Sequence, residues 1–337
     1  MSWNLLGHQW ATELLQGHIR QQRVRHAYLF TGPQGVGRRT LALRFAQALN
    51  CPKPTSPGVP CGTCRVCRQI EKQQHPDLFV VQAEDEGGVL KVEQIRQLQR
   101  HLNLTPYEGA YRVGLLLHFE KAHPSAANAL LKMLEEPPPH VVLLLTAHSA
   151  EELLPTITSR CEVLRLRPMP PSALAQALNE GFAVPPERAA FLAHLSHGRP
   201  GMALRWHQNP ALLDERQEHL QALAHLLQTD LLARFAFAEQ WAKKGSENRP
   251  KIRALLHTWL DFWRDVLLQT ANPSLPAAHQ DYLPLIQALR QHMTLAQTHA
   301  LVSQLLQSLE DLDAYVNPRL ILEALMLDLP RLPASNP

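Results

Sequence analysis

A glycine-rich segment between a predicted strand and a predicted helix constrains the fold most strongly. The apolar run 27–30 (AYLF) leads into the segment 32–37 (GPQGVG), and a helical pattern with Leu41, Phe45 and Leu49 follows. A Gly-x-x-x-x-Gly segment acts as a phosphate loop only in this strand–loop–helix context. The segment, with Gly32, Gly35 and Gly37 as its glycines, therefore predicts the backbone of a phosphate loop.

The rest of the first half of the chain alternates between strand and helix patterns. Apolar runs at 78–81, 113–117 and 141–145 predict strands, and amphipathic patterns at about 92–102 and 126–136 predict helices. Such alternation predicts a mostly parallel sheet with helices on both faces.

A chain of 337 residues is too long for one ordinary core. Clustered prolines after Arg167 mark a boundary, and from about residue 210 the pattern is entirely helical. We predict an α/β domain at 1–167 with a cysteine-rich insertion at 50–68, a small helical domain at 168–208, a helical domain at 209–330 and a disordered tail at 331–337.

Composition excludes few functions. The net charge of +3 neither requires nor excludes nucleic acid, because one face can be basic while the whole is not. No stretch approaches the roughly 20 apolar residues of a membrane span, and the N-terminus lacks a signal pattern, so we expect a cytoplasmic protein. No acidic pair is placed for two-metal nucleotidyl transfer.

The chemistry of the phosphate loop is damaged. The template requires Lys and then Ser or Thr, but this chain has Arg38 and Arg39. A guanidinium has no acceptor lone pair, so Arg39 cannot bind Mg²⁺. Thr40 comes one residue late, which is about 100° of rotation on a helix.

The acidic half of an ATPase site is missing as well. Counted back from Asn128, the positions for a metal-binding Asp and a water-activating Glu hold Leu117 and His118, and Glu120 comes too late. We interpret the glycine-rich loop as a relic turn, and ATP binding is doubtful. Weak binding of an anion or nucleotide by the loop amides stays open.

Four cysteines have metal-ligand spacing. Cys51, Cys61, Cys64 and Cys67 follow the pattern C-x9-C-x2-C-x2-C, and four thiolates match tetrahedral Zn²⁺. The surrounding Pro/Gly-rich loop has too few apolar residues for its own core, so a metal would supply its fold. We predict a structural zinc; an iron–sulfur cluster, buried free thiols and a redox pair are the alternatives. Cys161 is predicted to be a packed small residue.

A second motif combines a helix with an arginine turn. The helix 126–136 is stopped by Pro137–Pro139, a strand follows, and then comes the segment 158–161 (TSRC). An arginine presented at a strand–helix edge can reach a phosphate on a neighbouring subunit. The alternative for Arg160 is a surface salt bridge.

Taken together, these motifs resemble the delta' family of clamp-loader subunits of bacterial DNA polymerase III, within the AAA+ class. The resemblance covers essentially the whole chain. It rests on the segments 26–30 (HAYLF), 128–138 and 154–161 (LPTITSRC) and on the four-cysteine insertion, with 198–204 and 317–320 in support. The resemblance implies an AAA+ α/β core with a zinc-module insertion, a helical lid and an all-α C-terminal collar.

In this family a heteropentameric ring opens a sliding clamp and closes it around primed DNA. The resemblance implies gamma/tau and delta subunits as partners, and the clamp and DNA as indirect ones, with no membrane contact. It also implies a rigid stator with degraded ATP motifs, which offers Arg160 to the ATP of the adjacent motor subunit. Arg199 lies where relatives carry a second sensor arginine; an exposed loop arginine is the alternative.

Two other functions are alternatives to the stator role. One is an active ATPase motor of the same fold, which Arg39 and Leu117 oppose. The other is a stand-alone zinc-dependent nucleic-acid-binding protein, which the near-neutral charge opposes. We expect no enzymatic activity of the chain itself, since nucleotidyl transfer would belong to the holoenzyme.

Overall fold

The computed structural model describes residues 3–83, 88–243 and 248–332. The chain divides into two compact units, Met1–Ala183 with Gly198–Met202 and Val184–His197 with Ala203–Pro337. Across the described ranges no helix is both long enough and apolar enough to cross a bilayer. Most of the predicted disordered tail, residues 333–337, lies outside the described residues.

A five-stranded parallel sheet forms the centre of the first unit. Its strands are β1 (Ala27–Thr31), β2 (Leu78–Val81), β3 (Arg112–Leu116), β4 (Val141–Ala147) and β5 (Glu162–Arg165), in the order β2-β3-β4-β1-β5. The predicted parallel sheet is confirmed. The sequence analysis missed β5, because Glu162 and Arg165 interrupt its short apolar pattern.

Strand β1 is buried on both faces. Successive side chains of a strand point to opposite sides of the sheet. Tyr28 and Phe30 accordingly pack in one hydrophobic cluster, together with Phe45, whereas Ala27 and Leu29 pack in the cluster on the other face. Helices therefore cover both faces of the sheet, as the alternating sequence pattern predicted.

Seven α-helices of the described residues lie wholly within the first unit. They are α1 (Gln9–Arg20), α2 (Arg38–Asn50), α3 (Arg65–Glu71), α4 (Val92–Leu102), α5 (Pro124–Glu135), α6 (Pro155–Thr158) and α7 (Pro171–Phe182). Helix α5 begins two residues earlier than predicted, because Pro124 fits the first helical position and the His123 ring accepts the Ser125 amide hydrogen. It ends at Glu135, just before the prolines.

A buried carboxylate fixes the loop that leads into β3. Asp77 is fully buried, and its two oxygens accept hydrogen bonds from the amides of Tyr107 (2.6 Å), Glu108 (3.0 Å) and Gly109 (2.8 Å). Burial opposes ionisation of Asp77, but these amides and the charge of Arg112 hold its pKa below the ordinary value. The loop is therefore held by charge-assisted hydrogen bonds.

The second unit is helical. Its helices are α8 (Pro186–Leu195), α10 (Ala211–Leu226), α11 (Leu231–Ala242), α12 (Arg249–Ala271), α13 (Leu283–His292), α14 (Leu295–Asp313) and α15 (Pro318–Asp328). Helix α9 (Pro200–Gln208) is shared: its residues up to Met202 belong to the first unit and those from Ala203 to the second. Trp259, Phe262 and Trp263 of α12 are completely buried at its centre. Asp265 lies in this core because the amide and the ring of His279 both hydrogen-bond to it at 2.8 Å.

We predict that Asp77→Ala lowers the free energy of unfolding of the first unit by about 3 kcal/mol, because three amides lose their acceptor. Hydrogen exchange of the β3 amides measures this unit separately from the helical one. Glu136→Ala, at an exposed site, is the control and should change it by less than about 0.5 kcal/mol. Unchanged exchange protection in Asp77→Ala would show that the loop is held by other contacts.

Candidate functional sites at the two edges of the sheet

The predicted phosphate loop leaves the carboxyl end of β1. Gly32, Gly35 and Gly37 have φ angles of +144°, +81° and +112°, in the region that favours glycine. A Cβ on Gly32 would lie 2.4 Å from the Leu166 carbonyl oxygen, so no other residue fits there without movement. Gly37 caps helix α2. The backbone has the expected strand–loop–helix form.

The start of α9 packs against this loop. The amide of Gly201 donates to the Gly35 carbonyl at 2.8 Å, and a Cβ on Gly35 would lie 3.1 Å from Met202. Arg199, the predicted second sensor position, is half-buried just before this contact. The segment 198–202 thus closes over the glycine-rich loop within the first unit.

Two arginines replace the phosphate- and metal-binding residues. Arg38, the first residue of α2, is only 6% exposed, and its Nη1 has no hydrogen-bond partner among the described residues. Burial lowers the pKa of Arg38, and the charges of Glu120 and Glu152 act against that shift. Arg39 and Thr40, the next two residues of α2, are exposed.

The carboxyl end of β3 lacks the acidic pair of an ATPase. Leu117 is buried in the core, and the His118 amide donates to the Thr146 hydroxyl at 3.0 Å. The His118 ring lies 3.3 Å from Glu120 Oε1. Burial opposes ionisation of Glu120, but this ring, its own backbone amide and the charge of Arg38 keep its pKa below the ordinary value.

The carboxyl edge therefore carries the buried cation Arg38, and the charges of Glu120 and Glu152 act in its favour. Neither the position of Arg39 nor that of Leu117 offers an oxygen to Mg²⁺. The sequence analysis missed His8, whose buried ring lies 2.8 Å from the Val36 carbonyl oxygen and braces the loop. No local motif marks this residue, because its partner is 28 positions away.

The Ser-Arg-Cys turn lies at the opposite edge of the sheet. It follows α6 and directly precedes β5, which begins at Glu162 beside Tyr28 near the start of β1. The five residues of β1, about 17 Å of strand, thus separate Arg160 from the level of Gly32. Arg160 cannot reach a phosphate on its own chain's loop.

Arg160 is held by two contacts. Its Nη1 donates to the Thr156 carbonyl oxygen at 2.9 Å, and its Nη2 lies 2.9 Å from Glu135 Oε1. The sequence analysis did not single out Glu135, which ends α5. The next residue, Cys161, packs against the core, and burial raises the pKa of its thiol to about 12. The turn thus anchors the cysteine inward and presents the arginine outward.

The four predicted ligand cysteines come together. Their sulfurs all lie within 4.8 Å of one another, with 3.6 Å between Cys51 and Cys61 and 4.0 Å between Cys61 and Cys67. Tetrahedral Zn²⁺ with 2.3 Å bonds requires sulfurs about 3.8 Å apart. Disulfides require about 2.05 Å, and all four thiols are free. The cluster can therefore hold a metal such as zinc.

Backbone amides donate hydrogen bonds to the sulfurs of this cluster and favour their thiolate form. The amides of Cys61, Cys64 and Cys67 each donate to the sulfur of the preceding cluster cysteine at 3.3–3.4 Å. The amides of Cys64 and Thr63 lower the pKa of Cys61 to about 6, whereas burial raises the pKa of Cys51 and of Cys67 in the absence of a metal charge. Hydrogen bonds to the charged form favour it, which suits a metal ligand.

Helix α2 connects the cysteine module to the core. Gln47 donates to the Cys67 carbonyl at 2.7 Å, and Trp3 donates to Gly58 at 2.9 Å while stacking on Phe45. Asn50, at the end of α2, exchanges two hydrogen bonds of 2.9 Å with the backbone just before β3. The module therefore lies beyond the end of α2, at the amino edge of the sheet.

Comparison with known proteins covers nearly the whole chain. A family model described as "DNA polymerase III, delta subunit" matches residues 7–170, and one described as "DNA polymerase III, delta subunit, C terminal" matches residues 210–330. DNA polymerase III subunit delta' of Pseudomonas aeruginosa is 35% identical over 320 residues, which cover 92% of this chain and 93% of that protein.

Two further relatives extend this result. The subunit delta' of Bacillus subtilis is 31% identical over 323 residues, covering 94% of each chain. DNA polymerase III subunit tau of Escherichia coli is 30% identical over 247 residues, which cover 68% of this chain and 38% of tau. The delta' relatives match from end to end, whereas tau is matched over a minor part of its length. The chain belongs to the family of DNA polymerase III delta' subunits.

Proposed function

We propose that this chain is the stator subunit of a bacterial clamp loader, with no ATP hydrolysis of its own. In this proposal Arg160 is a trans-acting arginine finger for ATP bound to the adjacent motor subunit. The position of Arg160 supports this most directly: it lies at the sheet edge opposite its own glycine-rich loop. A phosphate that it contacts must therefore belong to another chain.

The proposed partners are the gamma/tau and delta subunits, with the sliding clamp and primed DNA as indirect ones, in the cytoplasm. The names of the relatives, DNA polymerase III subunits delta' and tau, support this assignment. We further propose that residues 1–167, 168–208 and 209–330 act as AAA+ core, lid and oligomerisation collar, respectively. The buried core around α12 gives the last region a stable scaffold of its own.

The glycine-rich loop, with Gly32, Gly35, Gly37 and Arg38, is proposed to have a structural role. Arg39 and Leu117 oppose the alternative of an active motor, because both halves of the Mg²⁺ site lack oxygen ligands. Contacts of the loop with the segment 198–202 and with His8 support a role in holding the core together.

We propose that Cys51, Cys61, Cys64 and Cys67 hold one structural Zn²⁺. The sulfur spacing and the amide hydrogen bonds support four thiolate ligands. With all four positions occupied by protein, the metal would have no open site for substrate and would stabilise the module rather than perform chemistry.

The finger is tested by Arg160→Ala in the reconstituted loader with clamp and primed DNA. We expect ATP hydrolysis at the neighbouring site that Arg160 contacts to slow roughly 10³-fold or more in single-turnover measurements, because an arginine finger stabilises the charge of the transition state. Arg165→Ala, an exposed arginine of β5 paired with Glu151, is the matched control and should leave the rate unchanged. Full activity of an assembled Arg160→Ala loader would reject the finger.

The metal is tested on purified protein by elemental analysis. We expect about one zinc per chain, lost in Cys64→Ser and retained in Cys161→Ser, whose thiol is not in the cluster. Chelation should lower the melting temperature of the native protein, because metal binding contributes to folding. Iron with acid-labile sulfide, or a metal content that survives Cys64→Ser, would contradict the zinc assignment.

A further inference from the structure

We infer that Glu135 is a positioning residue for Arg160. This inference rests on the proposed role of Arg160 as a finger. The carboxylate of Glu135 ends α5 and lies 2.9 Å from Nη2 of Arg160. On the turn that carries Arg160, the Thr156 carbonyl oxygen accepts a hydrogen bond from Nη1.

These two contacts leave the guanidinium able to bind an anion. Arginine carries five N–H donors in a planar fork. Among the residues that the structure describes, Thr156 and Glu135 take one each, so three donors are left for the oxygens of a phosphate. The ion pair between Arg160 and Glu135 can therefore persist while the guanidinium contacts a neighbour's nucleotide. Arg160 does not have to leave Glu135 first.

The carboxylate is held by the core. Leu134, adjacent to Glu135, and Ile157 of α6 are both buried in the same hydrophobic cluster. Pro137 fixes the end of α5 by ending the helix. Glu135 and the turn that carries Arg160 thus belong to packed elements of one unit, and the distance between them is set by that packing.

Glu135 affects the orientation of the Arg160 side chain more than it reduces the charge of the guanidinium. The side chains of Arg160 and Glu135 are 36% and 51% exposed, and solvent screens an ion pair at such a site. Little of the positive charge is therefore lost to the pair. An unpaired arginine side chain, in contrast, samples many rotamers, and these must be restricted when the fork meets a phosphate.

The test uses steady-state ATP hydrolysis by the reconstituted loader with clamp and primed DNA, which gives kcat and KM. Glu135→Ala is expected to lower kcat roughly three- to tenfold with an unchanged KM for ATP, because the contact acts in the transition state and not in nucleotide binding. Glu136→Ala removes the neighbouring exposed carboxylate and should leave both parameters unchanged. Gel filtration and melting temperature verify assembly and folding of every variant.

A double-variant cycle separates positioning from a general structural effect. Combined with Arg160→Ala, the change Glu135→Ala is expected to have no further effect on kcat, since there is no longer a fork to orient. Glu135→Gln retains an acceptor oxygen at the same position and should keep more activity than Glu135→Ala. This variant also serves if Glu135→Ala fails to fold.

The possible outcomes distinguish the two proposals. If Arg160→Ala leaves the rate intact, the finger fails, and the role of Glu135 fails with it. If Arg160→Ala is slow but Glu135→Ala is as fast as the natural chain or faster, the finger stands and the positioning role is overturned. An equal loss from Glu135→Ala with and without Arg160 also overturns it.

Discussion

The parallel direction of all five strands is the constraint on which the rest of the structure depends. Strand β1 lies between β4 and β5 and is buried on both faces. Because all strands run in the same direction, their carboxyl ends form one edge of the sheet and their amino ends form the other. The glycine-rich loop lies at the carboxyl edge, whereas Arg160, Glu135 and the cysteine module lie at the amino edge. In the proposed function, this core separates the glycine-rich loop, where a nucleotide would bind, from Arg160, which would act on another chain's nucleotide. The same sheet can lose the first capacity and keep the second.

Electrostatics at the carboxyl edge explain why a loop without metal ligands remains an ordered element. A buried guanidinium is costly without a counter-charge, and the carboxylates of Glu120 and Glu152 supply one for Arg38. A hydrogen bond with His118 helps to keep Glu120 ionised. Arg38, at the position of the phosphate-binding lysine, is thus balanced by carboxylates of its own chain, and Gly32 still gives the backbone the close approach that packing requires.

Local patterns predicted the parts of the molecule that depend on neighbouring residues. The strands β1 to β4, the proline-terminated helix α5 and the cysteine cluster each have a short periodic or spaced signature, and the structure confirms them. What the sequence analysis missed depends on residues distant in the chain. Strand β5 becomes a strand through its pairing with β1, and His8, Asp77 and Glu135 acquire their roles from partners that the fold brings to them. No periodicity in the sequence encodes such pairs.

The Mg²⁺ ligands of an ATPase are missing at two separate places in this chain, and this has a consequence for how such a site could arise. Mg²⁺ ligands would require an oxygen donor at Arg39, on helix α2, and acidic residues at Leu117 and His118, directly after β3. Any one of these changes alone would bring no catalytic gain, and an isolated carboxylate at Leu117 would enter a closed core. A self-sufficient ATPase site in this chain would therefore need several substitutions made together, on α2 and after β3.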